Sequence, residues 1–157
     1  YGEHKKELCG GEPSTTNNRM EIQAALSALN ILKEPCQTEV YTDSAYLCNA
    51  VEKGWLNRWQ RNGWKTASKG FVENQDLWKE LLTLMNIHQV TFHKVKGHAD
   101  NVYNNRCDEL ARNAIQEIEE NDDAAWTHVQ TIRPGQPAFS VFCKINYEMN
   151  FLLISFR

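Results

Sequence analysis

Residues 39–51, EVYTDSAYLCNAV, pass within a few positions from a strand pattern to a helix pattern. Glu39 to Thr42 favours a strand, and a helix is predicted to begin near Ser44 with Leu47 and Ala50 inward. Asp43 stands at the junction. Open α/β sheets bind ligands at the carboxyl ends of their strands, so Asp43 is a candidate site residue, although capping of the next helix explains it equally well.

Strand and helix patterns alternate along most of the chain. Ile22, Leu26 and Leu29 recur at spacings of four and three, which predicts one apolar face of a helix that ends at residues 33–35. The other predicted elements are strands at 5–9 and 89–95, helices at 74–85 and 110–118, and a polar loop at 97–105. This alternation predicts an α/β or α+β domain.

The composition is that of an ordinary globular protein. The chain has 157 residues, 41% of them hydrophobic, and a net charge of −3 at pH 7. These values exclude a protein that binds nucleic acid through bulk positive charge. Apolar runs are too short to span a bilayer, so we expect no membrane partner. Any nucleic-acid site must be a local patch.

The cysteine pattern indicates the cellular compartment of the protein, and the first residue indicates whether the chain has been processed. The chain has five cysteines and no Cys-x-x-Cys pair. This pattern favours reduced thiols in a cytoplasmic protein over a disulfide scaffold or a zinc site. The first residue is Tyr1 rather than Met, from which we expect a fragment or a processed product.

The composition changes near residue 120. Residues 117–123 contain five acids, and a turn cluster with Pro and Gly follows at 133–137. We assign residues 1–120 to the domain and leave 121–157 as an unassigned tail. Residues 139–145 and 151–156 in that tail are apolar and strand-prone. Either one of them fills a position in the sheet or the tail is an unrelated end, and the second alternative is preferred.

Residues 53–72, called the basic segment below, differ from the rest of the chain. They contain five Lys and Arg residues, three Trp residues and Phe71, but no acid. Trp55 and Trp59 are four positions apart, a spacing that also fits packing in a core. A plain solvated face usually mixes both signs of charge, so the segment favours contact with a phosphate backbone.

Three carboxylates lie at the ends of predicted elements. Glu21 falls in the first turn of a helix, Asp43 ends a strand and Asp108 starts the last helix. Each alone has an ordinary explanation: a favourable charge at a helix start for Glu21 and Asp108, and a helix cap for Asp43. Together they suit Mg²⁺, which prefers oxygen ligands and in pairs clamps the oxygens of a phosphodiester. His98, beside Gly97, is a candidate for proton transfer.

Four motifs stand in the order and spacing of bacterial type I ribonuclease H. They are TNNRME at 16–21, YTDS at 41–44, VKGHA at 95–99 and NRCDELA at 105–111. Residues 55–66 resemble the basic protrusion of that family. The chain is similar to the family over about residues 1–116, and the resemblance implies a ribonuclease H-like fold, an α/β (α+β) arrangement with a mixed sheet.

The resemblance also implies an activity and a set of residues. The family cleaves the RNA strand of RNA–DNA hybrids with a divalent metal and leaves 5′-phosphate and 3′-hydroxyl ends. Mg²⁺ is the expected ion, with Mn²⁺ as the alternative, and we expect a monomer. Glu21, Asp43 and Asp108 match three of the family's four metal-binding carboxylates, and His98 matches its loop His. The implied hybrid contacts are Thr16, Asn17, Asn18, Trp55, Trp59, Arg61, Trp64, Lys65 and Thr66.

The chain departs from the family at its start. The family begins with a strand that carries its first catalytic Asp, then a Gly-rich turn and a second strand, and Tyr1 enters at the end of that second strand. We therefore expect an N-terminally truncated chain with little or no activity as it stands. The alternatives are a catalytically impaired hybrid-binding module or fragment, and another nuclease or integrase-like enzyme on the same fold.

Overall fold

The computed structural model describes residues 6–9, 15–95, 128–131, 140–142 and 152–156. Its strands are β1 (Lys6–Cys9), β2 (Gln37–Thr42), β3 (Gln89–Lys94), β4 (His128–Thr131), β5 (Ser140–Phe142) and β6 (Leu152–Phe156). Its helices are α1 (Asn17–Asn30), α2 (Ala45–Glu52), α3 (Trp55–Arg61) and α4 (Gln75–Ile87). The predicted loop at 97–105, the helix at 110–118 and the boundary at 120 lie outside the described residues. Within the described ranges, every helix is too short or too polar to cross a membrane.

The predicted apolar face of α1 is confirmed. Ile22, Leu26 and Leu29 are completely buried, and the helix packs against α4. Thr16 caps its start, where Oγ1 accepts a hydrogen bond from the Arg19 N–H at 3.3 Å. The helix ends at Asn30, a few residues before the predicted end at 33–35.

Trp78 of α4 connects three helices in the core. Its side chain is completely buried, and its indole N–H donates to the hydroxyl of Tyr46 in α2 at 3.1 Å. Its ring lies 5.8 Å from that of Trp59 in α3, centroid to centroid. A buried Trp needs a partner for its N–H, and here that partner links α4 to α2, while the ring contact links α4 to α3.

The described strands form one mixed sheet in the order β3-β2-β6-β5-β1-β4. β2 and β3 are parallel, with Thr42 opposite Lys94 at their carboxyl ends. β6 runs antiparallel to β2 and to β5, β5 runs parallel to β1, and β4 pairs antiparallel with β1 at the edge. A mixed sheet agrees with the predicted fold class.

Two strands from the C-terminal tail occupy the middle of this sheet. β5 and β6 stand between β1 and β2, the interval in which the resemblance described above places the family's first strand. The topology therefore favours the alternative in which the tail enters the sheet. Pairing there satisfies N–H and C=O groups of β1 and β2, and each such group left unpaired in an interior costs about 1–3 kcal/mol.

Candidate active site and nucleic-acid interface

Glu21 lies in the second turn of α1 and is only 8% exposed. Its Oε2 accepts a hydrogen bond from the hydroxyl of Ser44. The prediction that Glu21 occupies the first helical turn is wrong, because Thr16 caps the helix and its first turn, beginning at Asn17, contains no acid. A buried carboxylate is costly without compensating partners. Its position is therefore not explained by the charge preference of a helix start.

Asp43 directly follows β2 and directly precedes the cap of α2. The cap is Ser44, whose Oγ accepts a hydrogen bond from the Leu47 N–H at 3.1 Å. The alternative that Asp43 itself caps the helix is therefore wrong. The Ser44 N–H donates to Oγ1 of Thr42 at 3.0 Å, which tightens the junction. Asp43, half-buried, is held at the carboxyl end of β2.

Ser44 links Glu21 of α1 to the end of β2. It is the residue after Asp43, and its hydroxyl donates to Glu21. Cys48 lies one turn further along α2. Burial raises the pKa of its thiol, the Glu52 carboxylate raises it further, Lys94 lowers it, and Asp43 and Glu21 add smaller increases. Two negative groups from separate elements thus act on one small region beside the end of β2.

Ser44→Ala should lower the free energy of unfolding by about 1–2 kcal/mol. The substitution removes the cap of α2 and the donor to the buried Glu21 carboxylate. Urea unfolding measures the difference. Ser44→Thr keeps the hydroxyl and is the matched control, which should stay close to the parent. Equal stability of the Ala and Thr variants would contradict this role for the hydroxyl.

The carboxylate pair has the ligand chemistry of a divalent-metal site. Glu21 and Asp43 offer the carboxylate oxygens that Mg²⁺ prefers. In the part of the chain that the structure describes, no group of three or more His, Cys, Asp and Glu side chains is placed to hold a metal ion. Asp108 and His98 lie outside that part. The two described carboxylates fit the ion and need further ligands from elsewhere.

The Thr-Asn-Asn motif lies at the start of α1. Thr16 is exposed, and Asn17 and Asn18 are half-buried. Arg19 forms an ion pair with Asp76 at the start of α4, with Nη1 and Oδ2 2.9 Å apart. Burial alone would raise the pKa of Asp76, but hydrogen bonds from Arg19 and the backbone hold that pKa below its usual range. The ion pair ties the start of α1 to the start of α4.

The five cations of the basic segment are all exposed. The segment contains α3 and the loop that leads to α4. Because these 20 residues contain no acid, their positive charge is not neutralised within the segment. An exposed segment whose charges are all positive attracts a polyanion. The cations are Lys53, Arg58, Arg61, Lys65 and Lys69.

Each tryptophan of the basic segment is partly packed against the core and partly exposed to solvent. Trp55, Trp59 and Trp64 are half-buried and pack against the core, and the rings of Trp55 and Trp59 lie 6.0 Å apart. Packing, one of the two alternatives for this spacing, is therefore observed. Part of each side chain nevertheless remains exposed beside the cations.

The loop after α3 is a tight hairpin. The Thr66 N–H donates to the Gly70 carbonyl at 2.8 Å, and the Val72 N–H donates to the Trp64 carbonyl at 2.9 Å. The Trp64 N–H in turn donates to the Trp59 carbonyl at 2.7 Å. Trp64 has a φ of 60°, which is uncommon for an aromatic residue. These bonds hold the exposed side chains of the hairpin in place relative to α3.

A sequence profile of the RNase H family matches residues 1–116. The chain belongs to the RNase H family. It is similar to the ribonuclease H of Chlorobaculum parvum, with 66% identity over 117 residues that make up 74% of this chain and 80% of that protein. It is also similar to the ribonuclease H of Moorella thermoacetica, with 65% identity over 115 residues, 73% of this chain and 76% of that one.

A solved structure agrees on the fold of this ribonuclease H. LC9-RNase H1, described as a type 1 RNase H with the type 2 active-site motif, matches 77% of this chain and 56% of its own with a TM-score of 0.61 and 29% identity. The predicted ribonuclease H-like fold is therefore confirmed.

The predicted enzyme class is confirmed as well. The enzyme is a ribonuclease H, an endonuclease that cleaves the RNA of RNA–DNA hybrids. Its family generally uses a divalent metal. These comparisons do not favour the alternative of a binding module without activity.

Proposed function

We propose that Glu21, Asp43 and Asp108 bind the divalent metal of this ribonuclease H and that the ion is Mg²⁺, replaceable by Mn²⁺. The observation that supports this most is that Glu21 of α1 accepts a hydrogen bond from Ser44, the residue directly after Asp43 at the end of β2. The ion, when bound, supplies Lewis acidity to the hydrolysis of the phosphodiester.

Glu21 and Asp43 differ in burial, and we assign them different roles in metal binding. Glu21 is buried and hydrogen-bonded, so its orientation is set before any substrate arrives. Asp43 is more exposed and remains accessible from solvent. Such preorganisation reduces the rearrangement needed when charge develops in the transition state.

His98 is proposed to transfer a proton during the reaction. An unperturbed imidazole changes charge near neutral pH, so it accepts and releases protons under working conditions. The proposed products are a 5′-phosphate and a 3′-hydroxyl.

The test is a cleavage assay on three matched substrates: an RNA–DNA hybrid, duplex DNA and duplex RNA. From a version of this protein that is active, we expect cleavage of the RNA strand of the hybrid with Mg²⁺ or Mn²⁺ and none with a chelator. Cleavage of duplex DNA at a similar rate would instead favour another nuclease on this fold. Binding of the hybrid without cleavage would favour the impaired module. The same assay tests the expectation of low activity in the chain as given.

We propose that the hybrid lies over the start of α1 and the basic segment. The proposed contacts at the start of α1 are polar side chains suited to a minor groove, in which the 2′-hydroxyls distinguish RNA from DNA. In the basic segment, exposed cations lie beside partly exposed tryptophans. The proposed contacts are Thr16, Asn17, Asn18, Trp55, Trp59, Arg61, Trp64, Lys65 and Thr66.

Replacing Arg61 and Lys65 together with Ala should weaken hybrid binding and reduce its salt dependence. The slope of log K against log salt should decrease by about 0.7–0.9 for each phosphate that the protein no longer neutralises. Binding is measured over a salt series with a chelator present. Lys33→Ala, an exposed lysine near the opposite end of α1 from Thr16, is the control. An unchanged slope in the double variant would remove these residues from the interface.

A cytoplasmic monomer is also proposed. Cys36 and Cys48, the cysteines whose side chains the structure describes, are free thiols, which suits a reducing compartment. Sedimentation of the pure protein tests the oligomeric state, and fractionation of cells tests the compartment.

A further inference from the structure

Phe71 is the most exposed large hydrophobic side chain among the described residues. It is 72% exposed, while its neighbour Val72 is 4% exposed and belongs to the core. A ring held in water gains nothing for the fold. A single exposed hydrophobic residue is common on protein surfaces, so what matters is what lies beside Phe71.

The hairpin geometry places Phe71 beside a cation. Phe71 and Lys65 form an antiparallel bridge, and residues directly opposite each other in such a bridge project to the same face. Both side chains are exposed. Their neighbours Trp64 and Val72 pack against or within the core on the other face. The exposed face of the hairpin therefore presents a cation and an aromatic ring side by side.

We propose that Phe71 packs against a deoxyribose of the DNA strand next to the phosphate that Lys65 binds. This rests on the proposed binding of the hybrid by the basic segment. A cation and a ring at neighbouring positions match the alternation of phosphate and sugar along a strand. The deoxyribose offers C–H groups at its 2′ position, whereas a ribose would place a hydroxyl there that loses its water against the ring. Phe71 is thus a specificity-determining residue that favours DNA in this strand.

The experiment measures binding of the full chain with a chelator present, so that cleavage does not occur. Phe71→Ala should weaken binding of an RNA–DNA hybrid about fivefold. The salt slope should not change, because no charge is removed. Binding of duplex RNA should change little, so the preference for hybrid over duplex RNA should fall by the same factor. Ile87→Ala, at the other exposed large hydrophobic among the described residues, should leave binding of both duplexes unchanged.

The outcomes distinguish the sugar contact of Phe71 from the proposed binding of hybrid phosphates by the basic segment. If Phe71→Ala binds the hybrid as the parent does, while the Arg61 and Lys65 double variant still shows a reduced salt slope, the sugar contact is wrong and the phosphate contact stands. If that double variant also keeps its slope, the basic segment is not the interface. Equal weakening of hybrid and duplex RNA would overturn the role of Phe71 in choosing DNA. Unfolding curves of Phe71→Ala should match the parent, because the ring is exposed.

Discussion

In any version of this protein that is active, Asp43→Asn should reduce metal-dependent cleavage of RNA–DNA hybrids by about 100-fold or more. Replacing the carboxylate with an amide keeps the shape of the side chain but removes the negative charge that attracts a divalent ion. Metal-ion stabilisation of transition-state charge is worth several kcal/mol, and each 1.36 kcal/mol is a factor of ten in rate. Hybrid binding should persist, because the cations of the basic segment are untouched. Single-turnover cleavage and binding in chelator measure the two effects separately.

Glu80→Gln is the matched control for this substitution. Glu80 is an exposed carboxylate on α4 whose Oε1 accepts a hydrogen bond from Asn30. Its replacement also removes one negative charge, but on α4, beside the last residue of α1 rather than at the end of β2. We expect near-parental cleavage from this variant. If Asp43→Asn cleaves as well as Glu80→Gln does, Asp43 is not a metal ligand.

Ile154→Pro should lower the free energy of unfolding by at least about 2 kcal/mol. Ile154 lies in β6 opposite Val40 of β2 on one side and Ser140 of β5 on the other. Proline has no N–H to donate, and its ring is not tolerated in a strand that is paired on both sides. A buried group left unpaired costs about 1–3 kcal/mol. Urea unfolding followed by circular dichroism measures the loss.

Ile154→Val, which keeps the N–H and a β-branched side chain, is the control for the proline variant. Leu152 of β6 lies opposite Thr42, the residue before Asp43, so cleavage should fall together with stability in Ile154→Pro. A chain that ends at residue 139 lacks both β5 and β6 and should show no cooperative unfolding. If the proline variant, the valine variant and the shortened chain unfold alike, the tail does not belong to the sheet.

Local patterns were sufficient for the elements that carry a clear period. Ile22, Leu26 and Leu29 predicted the buried face of α1 because helical spacing brings them to one side of a single helix. Glu39 to Thr42 predicted β2, and Ser44 predicted the start of α2. β4 was missed, since Val129 is its single aliphatic residue and sets up no alternation of apolar and polar positions.

The environment of the candidate site could not be predicted in the same way. Ser44 is separated from Glu21 by 23 positions, and Arg19 from Asp76 by 57. No local spacing links such partners, because their approach depends on how α1 packs against the sheet and α4. A Ser three residues before Leu47 is a recognisable cap signal, but its second bond, to Glu21, has no sequence signature.

The sequence by itself determined the family, the enzyme class, and the residues proposed for metal and hybrid, because ordered motifs and a segment without acids are properties of the linear chain. Tertiary structure decided between the structural explanations that the sequence left open for several of those residues. It buried Glu21 against Ser44 and made Ser44 the cap in place of Asp43. It also brought two tail strands between β1 and β2. The physical reason is that backbone pairing and burial satisfy groups far apart in the chain, which no local pattern records.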